Sequence, residues 1–216
     1  MKFAAIITAG GTSSRFGETN KLLEKINNKE IIKYTVEAFI KSEINEIIIC
    51  ANKSIISTLD KIFTDKKNIR IIEGGQTRQE SVYNGLKAVD CDYVLIHDGA
   101  RPLISPKTIH DTMQSVIKNK AVSVMTKTID TIKEVDESGR IIRTLDRSKL
   151  YNTQTPQAFE YKLIKSAHEK FEGENFTDDA GLVEACGQEV YVVEGNYKNI
   201  KITTRTDIAI AENYLI

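Results

Sequence analysis

The chain has 216 residues, and its 30 Lys and Arg side chains are matched by 30 Asp and Glu, so it carries no net charge. That balance argues against a protein that holds nucleic acid by bulk charge; any anion site must be assembled locally from a few basic residues. Three cysteines, Cys50, Cys91 and Cys186, show no CxxC spacing, which argues against a disulfide or zinc framework and for reduced core residues.

Residues 3–7, Phe-Ala-Ala-Ile-Ile, read as a buried first strand. The strand breaks into Thr8-Ala9-Gly10-Gly11-Thr12-Ser13-Ser14-Arg15, and Lys21 follows six residues after Arg15. Bare N–H groups in such a loop approach phosphate oxygens, and two fixed cations balance their charge. The loop lacks GxxxxGK[ST] and is not a P-loop. It is also a poor dinucleotide fingerprint: Gly10, Gly11 and Gly17 do not fit GxGxxG, and the second strand ends in Cys50-Ala51-Asn52 without an acid for a ribose diol. Hydride transfer is therefore disfavoured. Taken alone, the loop fits a tight turn with two solvated cations equally well.

Ile32, Val36, Phe39 and Ile40 recur at helical spacing; a strand over 47–51, a helix over 54–63 and a strand over 69–73 follow. Gly74-Gly75-Gln76-Thr77-Arg78-Gln79-Glu80-Ser81 then opens a helix marked by Val82, Leu86 and Val89. Paired glycines let backbone approach a flat ligand such as a base edge; Thr77 with Gln79 or Glu80 would also serve as an ordinary helix cap. A strand over 93–97 leads into Asp98-Gly99-Ala100-Arg101-Pro102. A carboxylate followed by Arg101 fits a metal ligand or hydroxyl acceptor beside a phosphate-binding fork, or an ion pair that only holds the turn. His97 has no adjacent nucleophile and reads as packed, not catalytic. A helix through Ile109, Met113, Val116 and Ile117 and a strand over 121–125 continue the alternation. This predicts an α/β, Rossmann-like, mostly parallel sheet with helices on both faces, and ligands beyond the carboxyl ends of its strands.

Residues 131–147 break the rhythm and read as two strands around Asp136-Glu137-Ser138-Gly139. The apolar flanks Ile132, Val135, Ile141, Ile142 and Leu145 fit a hairpin arm that covers something, such as a partner subunit, or a hairpin packed on its own domain. Helices are expected over 160–171 and 179–186, a strand over 189–193 and a helix over 206–214. Thr177-Asp178 fits a helix N-cap. Lys201, between Ile200 and Ile202, is read on the opposite face of a strand from them; facing inward it would require an anion. With no repeat, linker or low-complexity tract, the expectation is one domain over 1–216 with an arm over 131–151 inserted in it. No stretch approaches the ~18 apolar residues of a membrane span, and no leader-like region opens the sequence, so the expectation is a cytoplasmic protein that engages neither membrane nor nucleic acid.

Taken together, the first loop with Arg15 and Lys21, GGQTRQESVYNGL, IHDGARP, IDTIK, LDR followed by TQTPQAF, TDDAGLVE and GNYKNIKIT resemble the cytidylyltransferases that act on 2-C-methyl-D-erythritol 4-phosphate in the non-mevalonate isoprenoid route. The resemblance runs end to end, and its specificity lies in the ordered set. It implies that Ala9, Gly10 and Gly11 lie along CTP, with Gly75, Gln76 and Ser81 near cytosine and ribose. Arg15 and Lys21 would clamp the triphosphate beside a Mg²⁺ held mainly by phosphate oxygens, and Lys201 would join them as a catalytic cation. Asp98, Arg101, Thr155, Thr177 and Lys201 would face the polyol phosphate. Thr131 and Arg147 would reach the site of a neighbouring subunit, which makes the hairpin the arm of a homodimer. Ser13, Asn20 and Gln76 depart from the family pattern, and none removes a charge the chemistry needs. Ribitol 5-phosphate cytidylyltransferases share the first loop, QTPQ and NIKIT, whereas RQESVYNGL and DGARP fit the methylerythritol enzymes better. A non-catalytic nucleotide-binding module on the same fold would be expected to lose Lys21, Arg101 or Lys201, and all three are present.

Overall fold

The computed structural model describes residues 1–11, 16 and 20–215. Strand β1 (Phe3–Ala9) is buried because its alternating side chains meet two cores, Phe3, Ala5, Ile7 and Ala9 on one face and Ala4 and Ile6 on the other. The two-residue strands β2 (Lys25–Ile26) and β3 (Lys29–Glu30) pair antiparallel and lead into α1 (Ile31–Lys41). The predicted alternation follows as β4 (Glu46–Ala51), α2 (Ile56–Phe63), β5 (Ile69–Glu73), α3 (Arg78–Ala88), β6 (Tyr93–Asp98), α4 (Pro106–Asn119) and β7 (Ala121–Lys127). Local signals set the ends of α4. Ser105 accepts a hydrogen bond from the Thr108 N–H, Pro106 occupies the first turn, and Lys120 closes the helix at φ 66°.

The hairpin appears as expected, with β8 (Lys133–Val135) and β9 (Ile141–Thr144) forming a sheet of their own. Its turn is made by Asp136, whose Oδ1 accepts from the N–H groups of Ser138 and Arg140, and by Gly139 at φ +83°. Beyond it lie β10 (Tyr151–Glu160), α5 (Tyr161–Lys170), α6 (Asp179–Ala185), β11 (Tyr191–Glu194) and α7 (Arg205–Tyr214).

The main sheet has the order β11-β7-β10-β6-β1-β4-β5. β10 runs antiparallel to both β6 and β7, and the other pairs are parallel. Ile32, Val36, Phe39, Leu59, Ile109, Val116 and Ala211 from α1, α2, α4 and α7 form the core on one face, and Val82, Leu86, Ile164, Ala167, Leu182 and Val183 from α3, α5 and α6 form it on the other.

Two features differ from the sequence reading. The ten-residue β10 was not expected as a strand, because Tyr151-Asn152-Thr153-Gln154-Thr155-Pro156-Gln157 is polar and contains a proline, a poor fit to a central strand. It is accommodated by a register shift between Thr153 and Gln157 in its pairing with β7. The buried Gln157 is satisfied by distant groups. Its Oε1 accepts from the N–H groups of Asp179 and Ala180 at 3.0 Å each, and its Nε2 donates to Ser123 Oγ and Asp178 Oδ2. Residues 199–203 are also not a strand. The inward–outward alternation around Lys201 nevertheless survives, because Ile202 is buried and donates its N–H to the Ala100 carbonyl at 2.8 Å.

Candidate active site

A cleft of about 320 Å³ opens at the carboxyl ends of β1 and β6 and the N-terminus of α3. Ala9, Gly10, Gly11, Lys21, Gly75, Gln76, Ser81, Asp98 and Lys201 all line it, so the structure brings together most of the residues singled out above. Thr8 and Arg78 line it as well. Arg15 and Ser13 lie outside the described residues.

One carboxylate organises one side of the cleft. Asp98, at the end of β6, has Lys201 Nζ 2.8 Å from Oδ2, Arg78 Nε 3.3 Å from Oδ1 and Arg101 Nε 3.7 Å from Oδ2. Thr8 Oγ1 donates to Oδ1 at 3.4 Å. Burial alone would favour the neutral acid, but Arg78 and Lys201, then Arg101, outweigh it and hold the carboxyl well below its ordinary range. Arg78 also reaches Asp179 Oδ2 at 2.8 Å. Burial disfavours the Arg78 charge, yet Asp179 and then Asp98 more than restore it and raise its pKa. Asp179 is likewise held ionised against its burial by Arg78 and His168. The Arg101 contact is an ion pair and not a hydrogen bond; burial pushes this guanidinium below its ordinary value, with Asp98 opposing, and Nη1 donates to the Asn199 carbonyl at 2.8 Å. Asp98 therefore holds three cations with incomplete compensation, an arrangement suited to receiving an anion.

The backbone of Asp98 is set by a relay behind the cleft. His97 is fully buried, and that burial, only partly opposed by Asp98, pushes its pKa down to about 4. At neutral pH the ring thus carries one N–H. Nε2 lies 3.3 Å from the Arg101 carbonyl, which only accepts, so the proton is on Nε2. Nδ1 then accepts from the Thr155 hydroxyl at 2.9 Å, and Thr155 Oγ1 accepts from the Asp98 N–H at 3.1 Å. His97 is packed, as expected, and it also ties β6 to β10.

The other side of the cleft is built from backbone. Thr77 caps α3 by accepting from the Glu80 N–H at 3.0 Å, and Glu80 Oε2 accepts from the Gln76 N–H at 2.7 Å. Ser81 Oγ accepts from the Gly75 N–H at 3.0 Å and donates to the Thr77 carbonyl at 2.9 Å. These contacts account for the double glycine: a Cβ on Gly74 would lie 2.8 Å from Ser81 Oγ, and one on Gly75 would overlap Glu80 Cβ. The glycines thus admit the first turn of α3 before any ligand is considered. Of the two candidate cap residues Glu80 is the one used; Gln79 turns inward to the backbone of Phe171 and Phe176.

The sequence profile of the family IspD, 2-C-methyl-D-erythritol 4-phosphate cytidylyltransferase, matches residues 3–216. The chain belongs to this family. It is 44% identical to the 2-C-methyl-D-erythritol 4-phosphate cytidylyltransferase of Dictyoglomus thermophilum, over 99% of this chain and 96% of that one. With the protein of the same name from Clostridioides difficile the identity is 42%, over 99% and 93%. Among solved structures, the 4-diphosphocytidyl-2C-methyl-D-erythritol synthase of Anaerococcus prevotii superposes with a TM-score of 0.90 at 37% identity, covering 99% of this chain and 96% of that one.

The remaining family positions lie outside the cleft lining. Arg101 and Thr155 adjoin it through Asp98. Thr177 is exposed beside Asp178, which caps α6 by accepting from the Gly181 N–H. Thr131 and Arg147 sit on the exposed arm, where Arg147 Nη1 donates to the Ile129 carbonyl at 2.8 Å. Arg78 and Asp179 were missed as site residues. A signal for Arg78 did exist: a cation in the first turn of a helix opposes the helix dipole, and so calls for an acidic partner.

Proposed function

We propose that this chain transfers a cytidylyl group from CTP to 2-C-methyl-D-erythritol 4-phosphate, giving 4-diphosphocytidyl-2-C-methyl-D-erythritol and pyrophosphate for isoprenoid precursor synthesis. The observation that carries this reading is the buried Asp98 carboxylate, ringed by Arg78, Arg101 and Lys201 beside a backbone-lined cleft. A phosphate oxygen of the polyol phosphate forms a bond to the α-phosphorus of CTP. The bond from that phosphorus to the β-bridging oxygen breaks, and pyrophosphate leaves with the electron pair. A phosphate monoester is already nucleophilic, so the protein's task is positioning and charge neutralisation.

In this reading Lys21 and Arg15 neutralise the triphosphate and Lys201 the developing charge at the transfer centre. Ala9, Gly10 and Gly11 lie along the nucleotide, and Gly75, Gln76 and Ser81 meet its base and ribose. Asp98, Arg101 and Lys201, with Thr177 alongside, receive the polyol phosphate; Thr155 acts through the Asp98 N–H. Among the described residues no three His, Cys, Asp or Glu side chains form a metal-binding set, and the Asp98 carboxylate already faces three cations. The site therefore fits a Mg²⁺ carried by the phosphate oxygens of CTP, where it would supply further charge neutralisation.

The chain is read as one nucleotidyltransferase domain, with residues 131–151 as the arm of a homodimer that delivers Thr131 and Arg147 to the neighbouring site. Exposed Val135, Ile141 and Ile142 along the arm support this. Mixed dimers of Arg147→Ala and Lys201→Ala subunits should regain one intact site; no recovery of activity would place each site within one chain. The enzyme is read as cytoplasmic; among the described residues no helix is long and apolar enough to cross a membrane. The deciding experiment is pyrophosphate release with CTP and either methylerythritol phosphate or ribitol 5-phosphate, repeated with ATP, GTP and UTP. Preference for ribitol phosphate would overturn the substrate and leave the reaction class standing.

A further inference from the structure

Lys201 reaches Asp98 from a segment between β11 and α7 that has no helix or strand. Such a segment has no ladder to hold it; beside Lys201 the Ile202 N–H bonds to the Ala100 carbonyl at 2.8 Å, and further anchors come from side chains. Asn199, 1% exposed, supplies them: its Nδ2 donates to Gln154 Oε1 at 3.1 Å and to the Thr155 carbonyl at 2.9 Å. Gln154, itself buried, donates through Nε2 to the Asn196 carbonyl at 3.0 Å. The turn from Asn196 to Asn199, closed by an N–H to carbonyl bond of 2.9 Å, is thereby held at both ends against the irregular part of β10. Gly195 makes room for this, because a Cβ there would lie 2.7 Å from Gln154 Oε1. The Asn199 carbonyl also accepts from Arg101 Nη1 at 2.8 Å. One residue thus fixes Arg101 by direct contact and Lys201 through two residues of chain. Asn199 Oδ1 is buried without a hydrogen-bond partner among the described residues, a cost to stability that positioning of the site would explain.

We propose that Asn199, braced by Gln154, is a positioning residue that sets Lys201 and Arg101 against Asp98 on the polyol-phosphate side of the cleft. The proposal rests on the reading of Lys201 given above. The test is steady-state kinetics with CTP and methylerythritol phosphate varied separately, for Asn199→Ala, Gln154→Met, Lys201→Ala and the double variant Asn199→Ala/Lys201→Ala. Asn199→Ala should lower kcat/KM for the polyol phosphate on the order of 10- to 100-fold, as misplacement of a binding group does, while KM for CTP stays near that of the parent. In the Lys201→Ala background the same substitution should cost clearly less, because one of its two targets is already gone. Gln154→Met keeps the volume of the side chain and removes both of its hydrogen bonds, so it should reproduce the phenotype even if Asn199→Ala does not fold. Equal losses in the two backgrounds, or a KM for CTP that rises in step, would overturn the proposal. Lys201→Ala with unchanged polyol kinetics would instead overturn the role of Lys201 and the clamp's purpose with it.

Discussion

The side of the cleft formed by residues 74–81 is backbone held in place by short side chains, whereas the Asp98 side is charge held in place by burial. At residues 74–81 the contacts are N–H groups, hydroxyls and glycines that admit the first turn of α3. Around Asp98 three cations share one carboxylate, and a fourth group, Asp179, steadies Arg78 from behind. The two constructions should fail differently. A backbone-built surface is sensitive to added volume and indifferent to many side-chain changes. An ion cluster is sensitive to any lost charge, because the remaining charges stay buried without their counterion.

The largest effect is expected from Asp98→Asn. It leaves Arg78, Arg101 and Lys201 facing a neutral amide, and breaking a buried ionic arrangement of this kind costs about 3–5 kcal/mol. Chemical denaturation would measure the loss, and wild-type-like stability would mean the cations are compensated elsewhere. Next comes Lys21→Ala, which in the proposed function removes a cation from the triphosphate. Removing one charge-stabilising group should raise the barrier by about 2–4 kcal/mol, seen as a fall in kcat; near-normal turnover would remove Lys21 from the transfer step. Gly75→Ala tests the backbone side. Its Cβ overlaps Glu80, so the loop must shift, at a cost of about 1–3 kcal/mol. KM for CTP should rise while KM for the polyol phosphate holds, and a rise in both would show that the two sides are not separable.

The most gradual effect is a pH dependence that divides the Asp98 side internally. The pKa of His97 falls from 6.5 to about 4 on folding, so between those values the unfolded chain binds a proton that the native ring refuses. Stability should decline as pH drops below 6.5, with a limiting slope of about 1.4 kcal/mol per pH unit. Asp98 is lowered from 3.8, so its contribution is complete above that value and is lost only as pH falls further, toward its depressed folded value. Urea denaturation across pH 4–7 should therefore show the upper limb in the parent protein and lose it in His97→Asn. A limb that persists in the variant would assign it to another group.

The alternating strands and helices, the loops at the strand ends and the hairpin were all readable from periodicity and turn residues. So were Lys21, Asp98, Arg101 and Lys201 as charges needing an explanation. β10 and Arg78 were not. β10 is buried as a polar strand because Gln157, Gln154 and Thr155 find partners on α6, on residues 196–199 and on His97. Arg78 belongs to the site because Asp98 and Asp179, far apart in sequence, meet on either side of it. Apolar periodicity reports burial from neighbouring residues alone, so the sequence by itself determined the layers and which strand ends open onto the cleft. Hydrogen-bond and charge satisfaction depends on groups brought together by folding. Only the tertiary structure could therefore decide which polar residues are buried, which cations share Asp98, and on which nitrogen His97 carries its proton.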